Sequence, residues 1–73
     1  MGKQLSEEYI ARMAQMLWEM GISEETALSV GTAIETEEEL LAFLDILSAH
    51  NYEMTSEEVY QAMVEALEET VDL

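Results

Sequence analysis

Cysteine is absent from the 73 residues, which excludes two common ways of supplementing a small core. Neither a disulfide framework nor a thiolate metal site can form without it. A chain of this length builds one domain and buries only about 60% of the surface that its unfolded state exposes. We therefore expect residues 1–73 to form a single domain that apolar packing alone holds together.

Long apolar segments are also missing. No stretch approaches the ~18 apolar residues of a membrane-spanning helix, and the N-terminus lacks the apolar segment of a signal peptide. The sequence thus predicts a soluble, cytoplasmic protein.

Positive charge is scarce. Lys3 and Arg12 stand against 17 acidic residues, and the formal net charge is −15. Residues 24–73 contain fourteen of the acids and neither lysine nor arginine. A surface of this kind repels nucleic acid and anionic membranes and attracts basic proteins. The hydrophobic content of 49%, placed at helical spacing, argues against the disorder that often accompanies such charge.

Candidates for catalysis and for metal binding are few. His50 is the only histidine, and no second ligand stands at a zinc or di-iron spacing from it. Its place at the end of a predicted helix favours an interaction with the helix dipole instead. Glu37, Glu38 and Glu39 begin the same helix, where the dipole favours carboxylates, so they would attract a divalent cation only loosely. We predict no catalytic residue, no metal site and no cofactor.

Four stretches have helical periodicity, and they predict an all-α fold, a compact bundle of four short helices. The start signals are the hydroxyl residues Ser6, Ser23, Thr36 and Thr55, and the stop signals are Gly21 and Asn51. The predicted bounds are about 6–20, 24–34, 37–49 and 56–70.

The third predicted helix is the most apolar of the four and has a clear start signal, a capping box of Thr36 and Glu39. Its apolar residues cover an arc of roughly 220° when Leu41 and Ile46 are included. An arc this wide predicts a central helix that the other three cover. In the second helix, Gly31 predicts a close approach between two helices.

The last predicted helix has an acidic face that folding does not explain. Its carboxylates fall within or beside an arc of about 60° and are those of Glu58, Glu65, Glu68, Glu69 and Asp72. Several lie near the C-terminal end, where the helix dipole disfavours anions and where like charges four residues apart repel. One interpretation is a solvated face that keeps the protein soluble. The other is a surface that presents carboxylates, in place of phosphates, to a basic site on a partner.

Trp18 lies apart from the apolar stripe of the first helix, beside Ala11 and Ala14. It either covers the edge of the core or is an exposed binding anchor. The sequence leaves the oligomeric state open between monomer and dimer. A second ambiguity concerns four methionines, which either fill the core or line an adaptable groove. They are Met13, Met16, Met20 and Met63.

A Met-Gly turn follows the first helix within the segment LWEMGI, residues 17–22, and apolar pairs recur at 42–43 and 46–47. This arrangement resembles the ubiquitin-associated domain over residues 5–48. That family is a compact three-helix bundle that binds ubiquitin through a Met-Gly-aromatic loop and the apolar end of its third helix. The chain departs from the family at Ile22, Gly31 and Asp45, where an aromatic residue, a leucine and an aromatic residue are usual. The resemblance implies an apolar contact surface formed by Met20, Gly21, Ile22 and Leu47.

Together these features favour a non-catalytic protein-binding module. The more specific hypothesis is an acidic inhibitor that mimics nucleic acid and blocks a basic, nucleic-acid-binding surface of a partner protein. Small acidic anti-defence proteins of phages, including anti-CRISPR proteins, look like this chain in size and charge. The alternative is a helical adaptor that binds through the apolar set Trp18, Met20, Gly21, Ile22 and Leu47. Neither hypothesis involves direct binding to nucleic acid or to a membrane.

Overall fold

In the computed structural model, which describes residues 6–71, the chain forms four α-helices. They are α1 (Glu7–Glu19), α2 (Glu24–Ala33), α3 (Glu37–Ala49) and α4 (Ser56–Val71). The predicted all-α fold is confirmed, and each predicted bound lies within one residue of the observed one. Over the described part of the chain, no helix has both the length and the apolar character needed to cross a membrane.

Each helix begins where a hydroxyl side chain accepts a hydrogen bond from an amide of the first turn. The acceptors are Ser6, Ser23, Thr36 and Thr55. Thr36 belongs to a complete capping box: its hydroxyl accepts from the Glu39 amide at 3.2 Å, and its own amide donates to the Glu39 carboxylate at 3.0 Å. Such bonds satisfy amides that have no partner inside the helix, so short local patterns set the helix starts.

The end of α1 is closed by a glycine in the left-handed region. Gly21 has a φ of 78°, and its amide donates to the Trp18 carbonyl at 3.0 Å. The next amide, that of Ile22, donates to the Leu17 carbonyl at 3.0 Å. This pair of bonds is the Schellman motif, in which an apolar contact usually accompanies the turn. Both Leu17 and Ile22 are buried here.

The end of α3 repeats this arrangement without a glycine. Asn51 has a φ of 55°, and its amide donates to the Ser48 carbonyl at 2.9 Å. The amide of Tyr52 reaches the Leu47 carbonyl at 2.9 Å, and Tyr52 itself has a φ of 58°. Asparagine is the non-glycine residue that tolerates the left-handed region best, which agrees with Asn51 as the predicted stop.

Helix α4 packs closely against two of the other three helices. Its Cα atoms come within 8 Å of those of both α2 and α3, and α1 approaches α2 in the same way. A polar contact also joins the starts of α2 and α4, because the Ser23 amide donates to the Ser56 hydroxyl at 2.9 Å. The core enclosed by these helices consists of Met13, Leu17, Ile22, Val30, Ile34, Leu40, Phe43, Leu47, Val59, Ala62, Met63 and Ala66.

The prediction that α3 is buried over its wide apolar arc is wrong at Leu41. Among the described residues, the α3 backbone approaches only that of α4 within 8 Å. Phe43 and Leu47 are fully buried, but Leu41 is 66% exposed and Ile46 is half-buried. The buried face of α3 is therefore narrower than its apolar arc, because the direction in which α4 crosses decides which side chains are covered.

The prediction for Gly31 is also wrong. No heavy atom of a neighbouring helix lies within 4 Å of the place that a Cβ at this position would take. Gly31 therefore does not allow a close helix approach, and it lies inside α2 with open space beside it.

Candidate partner-binding surface

A shallow groove runs between α3 and α4, and glutamate side chains line it. Its two ends share Ile46 of α3 and Glu65 of α4, so they form one continuous surface with local volumes of about 360 and 410 Å³. We call it the acidic groove and define it by Ile46, His50, Met54, Glu57, Glu58, Gln61, Ala62, Glu65, Glu68 and Glu69.

Five of the residues that line the acidic groove are glutamates on α4, and all five are exposed. From Glu57 to Glu69 the helix rises by about 18 Å, and Glu65 and Glu69 are one helical turn apart, about 6 Å. No lysine or arginine occurs anywhere in residues 24–73 to pair with them. Within residues 6–71 the ion pair of Arg12 with Glu8, at 3.0 Å on exposed α1 side chains, is the only one. No lysine or arginine of residues 24–73 therefore compensates the field at the acidic groove.

Glu58 differs from the other acids of the groove because its carboxylate is engaged in a cap. It accepts from the Thr55 amide at 2.9 Å, and the Glu58 amide donates to the Thr55 hydroxyl at 3.2 Å. The Thr55 amide first and the Thr55 side chain second, both acting on the carboxylate, hold the pKa of Glu58 below its ordinary value of 4.5, and the nearby His50 lowers it further. Desolvation opposes these effects but does not outweigh them. Glu58 is thus ionised down to a lower pH than an unperturbed glutamate.

The structure brings together four of the five acids predicted from the sequence, namely Glu58, Glu65, Glu68 and Glu69. Asp72 lies outside the described residues. The rest of the groove was not predicted from the sequence. Ile46 lies on α3 and His50 caps its end, and only the packing of two helices places them beside α4. Glu57 was also not predicted, although helical periodicity places it within about 20° of Glu68 on the same side of α4.

The apolar set of the alternative hypothesis is divided between surface and interior. Trp18 is 79% exposed, so the interpretation that it covers the edge of the core is wrong. Gly21 is exposed and Met20 is half-buried. Ile22 and Leu47, in contrast, are buried core residues. They are unavailable to a partner because the Schellman turn points Ile22 inward and α4 covers Leu47, and their assignment as contact residues is corrected accordingly.

The methionines do not form one groove. Met13 and Met16 line a small pocket of about 220 Å³ between α1 and α3, together with Leu40 and Leu44. Met63 lies elsewhere, beneath a depression between α2 and α4. Met13 and Met63 are buried, which identifies them as core-filling residues.

Within residues 6–71 no three histidine or acidic side chains are grouped so that they could hold a metal ion. Comparison of the chain with protein families, with curated proteins and with solved structures finds no match. The similarity to the ubiquitin-associated domain therefore stays a hypothesis, and a function has to be argued from the surface itself.

Proposed function

We propose that this chain is a non-catalytic inhibitor that binds a partner protein through the acidic groove and occupies a basic surface at which the partner would otherwise bind nucleic acid. The observation that carries the proposal is the row of exposed glutamates along one side of α4 with no lysine or arginine near it in sequence. An anti-defence role of the anti-CRISPR type is the biological setting that this activity fits best.

The average charge density along α4 supports mimicry of a nucleic-acid strand. Five carboxylates over about 18 Å of helix give one charge per about 4.5 Å, and a DNA strand carries one phosphate per about 3.4 Å. The two linear charge densities are thus similar. The glutamates form two groups, Glu57 with Glu58 and Glu65 with Glu68 and Glu69, which are about 10 Å apart along the helix, so a basic partner would meet a similar average charge density and not a regular phosphate-like interval.

The lining of the acidic groove also suits basic side chains. Ile46 and Met54 are half-buried and Ala62 is buried, so an apolar floor lies beneath the exposed carboxylates. Lysine and arginine have apolar stems with charged ends, and they bury the stem while the end stays solvated or paired. A partner side chain of this type could lie along the floor and reach Glu65 or Glu58 at the rim.

The decisive experiment is charge reversal within the groove. The triple variant Glu65→Lys, Glu68→Lys, Glu69→Lys should lose binding to proteins captured from a lysate of the source organism. A short DNA duplex should displace the captured protein from the unmodified chain. Raising NaCl from about 0.1 M to about 1 M should also release it, because the Debye length falls from about 10 Å to about 3 Å.

The matched control reverses three exposed acids outside the groove: Glu19→Lys, Glu35→Lys, Asp45→Lys. It changes the net charge equally, so it should retain most of the binding if position matters as well as charge. Circular dichroism checks that both variants stay helical. Equal loss in the two triple variants, or capture that a DNA duplex does not reduce, would refute the proposal.

A helical adaptor that binds through apolar contacts is the second candidate, and the exposure of Trp18 favours it. The residues left for such a contact are Trp18, Met20 and Gly21, since Ile22 and Leu47 are buried. This function predicts that Trp18→Ala abolishes capture of the partner and that about 1 M NaCl leaves capture intact. Purified ubiquitin is a direct probe, titrated against the unmodified chain and against Trp18→Ala.

A further inference from the structure

Two glutamates on the groove side of α4 have the spacing of a heptad repeat. Glu58 and Glu65 are seven residues apart, so they lie within about 20° of each other around α4 and about 10.5 Å apart along it. Between them the lining that α4 contributes is uncharged, because it consists of Gln61 and Ala62. Along α4, the acidic groove therefore has two anionic positions that a neutral segment separates.

The neutral segment of the acidic groove has an apolar floor. Ile46 of α3 and Met54 of the linker are half-buried there, and Ala62 of α4 is buried. The open space above this floor has a volume of about 360 Å³. An apolar side chain of a partner would bury surface here, provided that the same partner brings a cation to each side of it.

A helix presents cations and an apolar residue in this order at this distance. Residues seven apart share one side of a helix, and a residue three or four positions after the first lies between them. On an extended strand, side chains of one side recur every ~6.7 Å, so two cations would lie about 6.7 or about 13 Å apart. The elements of residues 6–71 are all helices, so an extended segment would find no strand edge to pair with, whereas a helix satisfies its own backbone. Charge pairs beside an apolar contact also govern how the helices of coiled coils recognise each other.

We propose that the element of the partner that occupies the acidic groove is a basic amphipathic α-helix, with lysine or arginine opposite Glu58 and Glu65 and an apolar residue over Ile46. The proposal rests on the function proposed above and narrows the partner to proteins whose nucleic-acid-binding element is a helix. Such a helix enters the major groove of DNA and is surrounded there by phosphates. The absence of lysine and arginine from residues 24–73 favours this cationic occupant over a neutral or anionic helix.

The probe is a labelled, alanine-based helical peptide with two arginines seven residues apart and a leucine between them, and we call it the register peptide. Its binding to the full chain is measured by fluorescence anisotropy in about 0.1 M NaCl. A permuted peptide of the same composition has its arginines five residues apart, on different sides of the helix. A third peptide keeps both arginines in register but has a central proline, which interrupts the helix. The register peptide should bind at least fivefold more tightly than either of the others, and circular dichroism checks that the first two are equally helical.

Variants of the chain locate the contact. Glu58→Gln combined with Glu65→Gln should weaken binding of the register peptide at least fivefold, and glutamine at position 58 is still able to form the capping box. The matched control, Glu19→Gln combined with Glu35→Gln, changes the charge equally at two exposed acids outside the groove and should retain the binding. Ile46→Ala should weaken binding of the register peptide, and it should have little effect on a peptide in which alanine replaces the leucine. Circular dichroism checks that every variant stays helical.

Equal binding of the register and permuted peptides would overturn the proposal of a helical occupant. Equally tight binding of the proline peptide, or no measurable binding of the register peptide, would also overturn it. None of these results would refute inhibition through the acidic groove, which is tested by charge reversal and by competition with a DNA duplex on the captured protein. Failure of that function would appear instead as equal loss of capture in the two triple variants, or as capture that the duplex does not reduce.

Discussion

Thr55 and Glu58 are bonded in both directions at the start of α4. The Thr55 amide donates to the Glu58 carboxylate at 2.9 Å, and the Glu58 amide donates to the Thr55 hydroxyl at 3.2 Å. The same carboxylate lines the acidic groove. The Glu58 side chain therefore caps the start of α4 and contributes charge to the surface that we propose binds a partner.

Replacing Glu58 should make stability depend on pH in a defined way. Because hydrogen bonds with Thr55 lower its pKa, ionised Glu58 favours the folded state above the ordinary value of 4.5, and this contribution is lost as the pH falls through the lowered pKa. Glu58→Ala should therefore destabilise the protein at pH 7 and much less at about pH 3. Urea unfolding at both pH values measures the difference. Glu57→Ala, in the same turn but without this cap, is the control, and an equal pH dependence for both variants would contradict the prediction.

The two described glycines should respond to alanine with opposite signs. Gly31 lies in a helix with open space around it, so Gly31→Ala should stabilise the protein by about 0.5–1 kcal/mol. Gly21 has a φ of 78°, and although space is available there too, Gly21→Ala should destabilise by about 1–2 kcal/mol through backbone strain. Thermal unfolding of the two variants measures both effects, and since neither position is crowded, the difference between them reports on backbone conformation and not on packing. Loss of stability in Gly31→Ala would mean that the surroundings of α2 are tighter than described.

Two leucines of α3 should differ sharply although both belong to its apolar pattern. Leu47 is fully buried, so Leu47→Ala removes transfer energy and leaves a cavity, at a cost of about 2–5 kcal/mol. Leu41 is exposed, and Leu41→Ala should change stability by less than about 0.5 kcal/mol. Chemical denaturation distinguishes them. Similar losses of stability in the two variants would instead indicate that α3 is covered on all sides.

The effect of a charge reversal on the stability of the protein should depend on where it lies along the dipole of α4. Glu69→Lys places a cation in the last turns of α4 and removes a repulsion with Glu65 one turn earlier. Both changes favour the folded state, and together they should stabilise the protein by roughly 0.3–1 kcal/mol. Glu57→Lys places a cation in the first turn and should destabilise by a similar amount, about 0.3–1 kcal/mol. Melting temperatures in low salt measure both. Both shifts should shrink as NaCl is added, and persistence of either in about 1 M salt would point to another cause.

Only part of the acidic groove could be predicted from the sequence. Helical periodicity was enough to place Glu58, Glu65, Glu68 and Glu69 on one side of α4, because those positions depend on a single helix. Ile46 and His50 were not predictable as neighbours, since they reach the groove through the crossing of α3 and α4. The apolar contact set failed at Ile22 and Leu47 for the same reason: a pattern of apolar residues does not distinguish a surface patch from a core until the covering helix is known.

The sequence by itself determined where each helix starts and where α1 and α3 stop, because a cap or a left-handed stop is an interaction among residues a few positions apart. Thr36 with Glu39 and Gly21 after α1 needed no distant partner. Tertiary structure decided which apolar side chains are buried: it covered Leu47, exposed Trp18 and left Gly31 beside open space. Burial depends on which helices meet and at what angle, and contacts between distant parts of the chain, such as that of Ser23 with Ser56, leave no periodic signal along it.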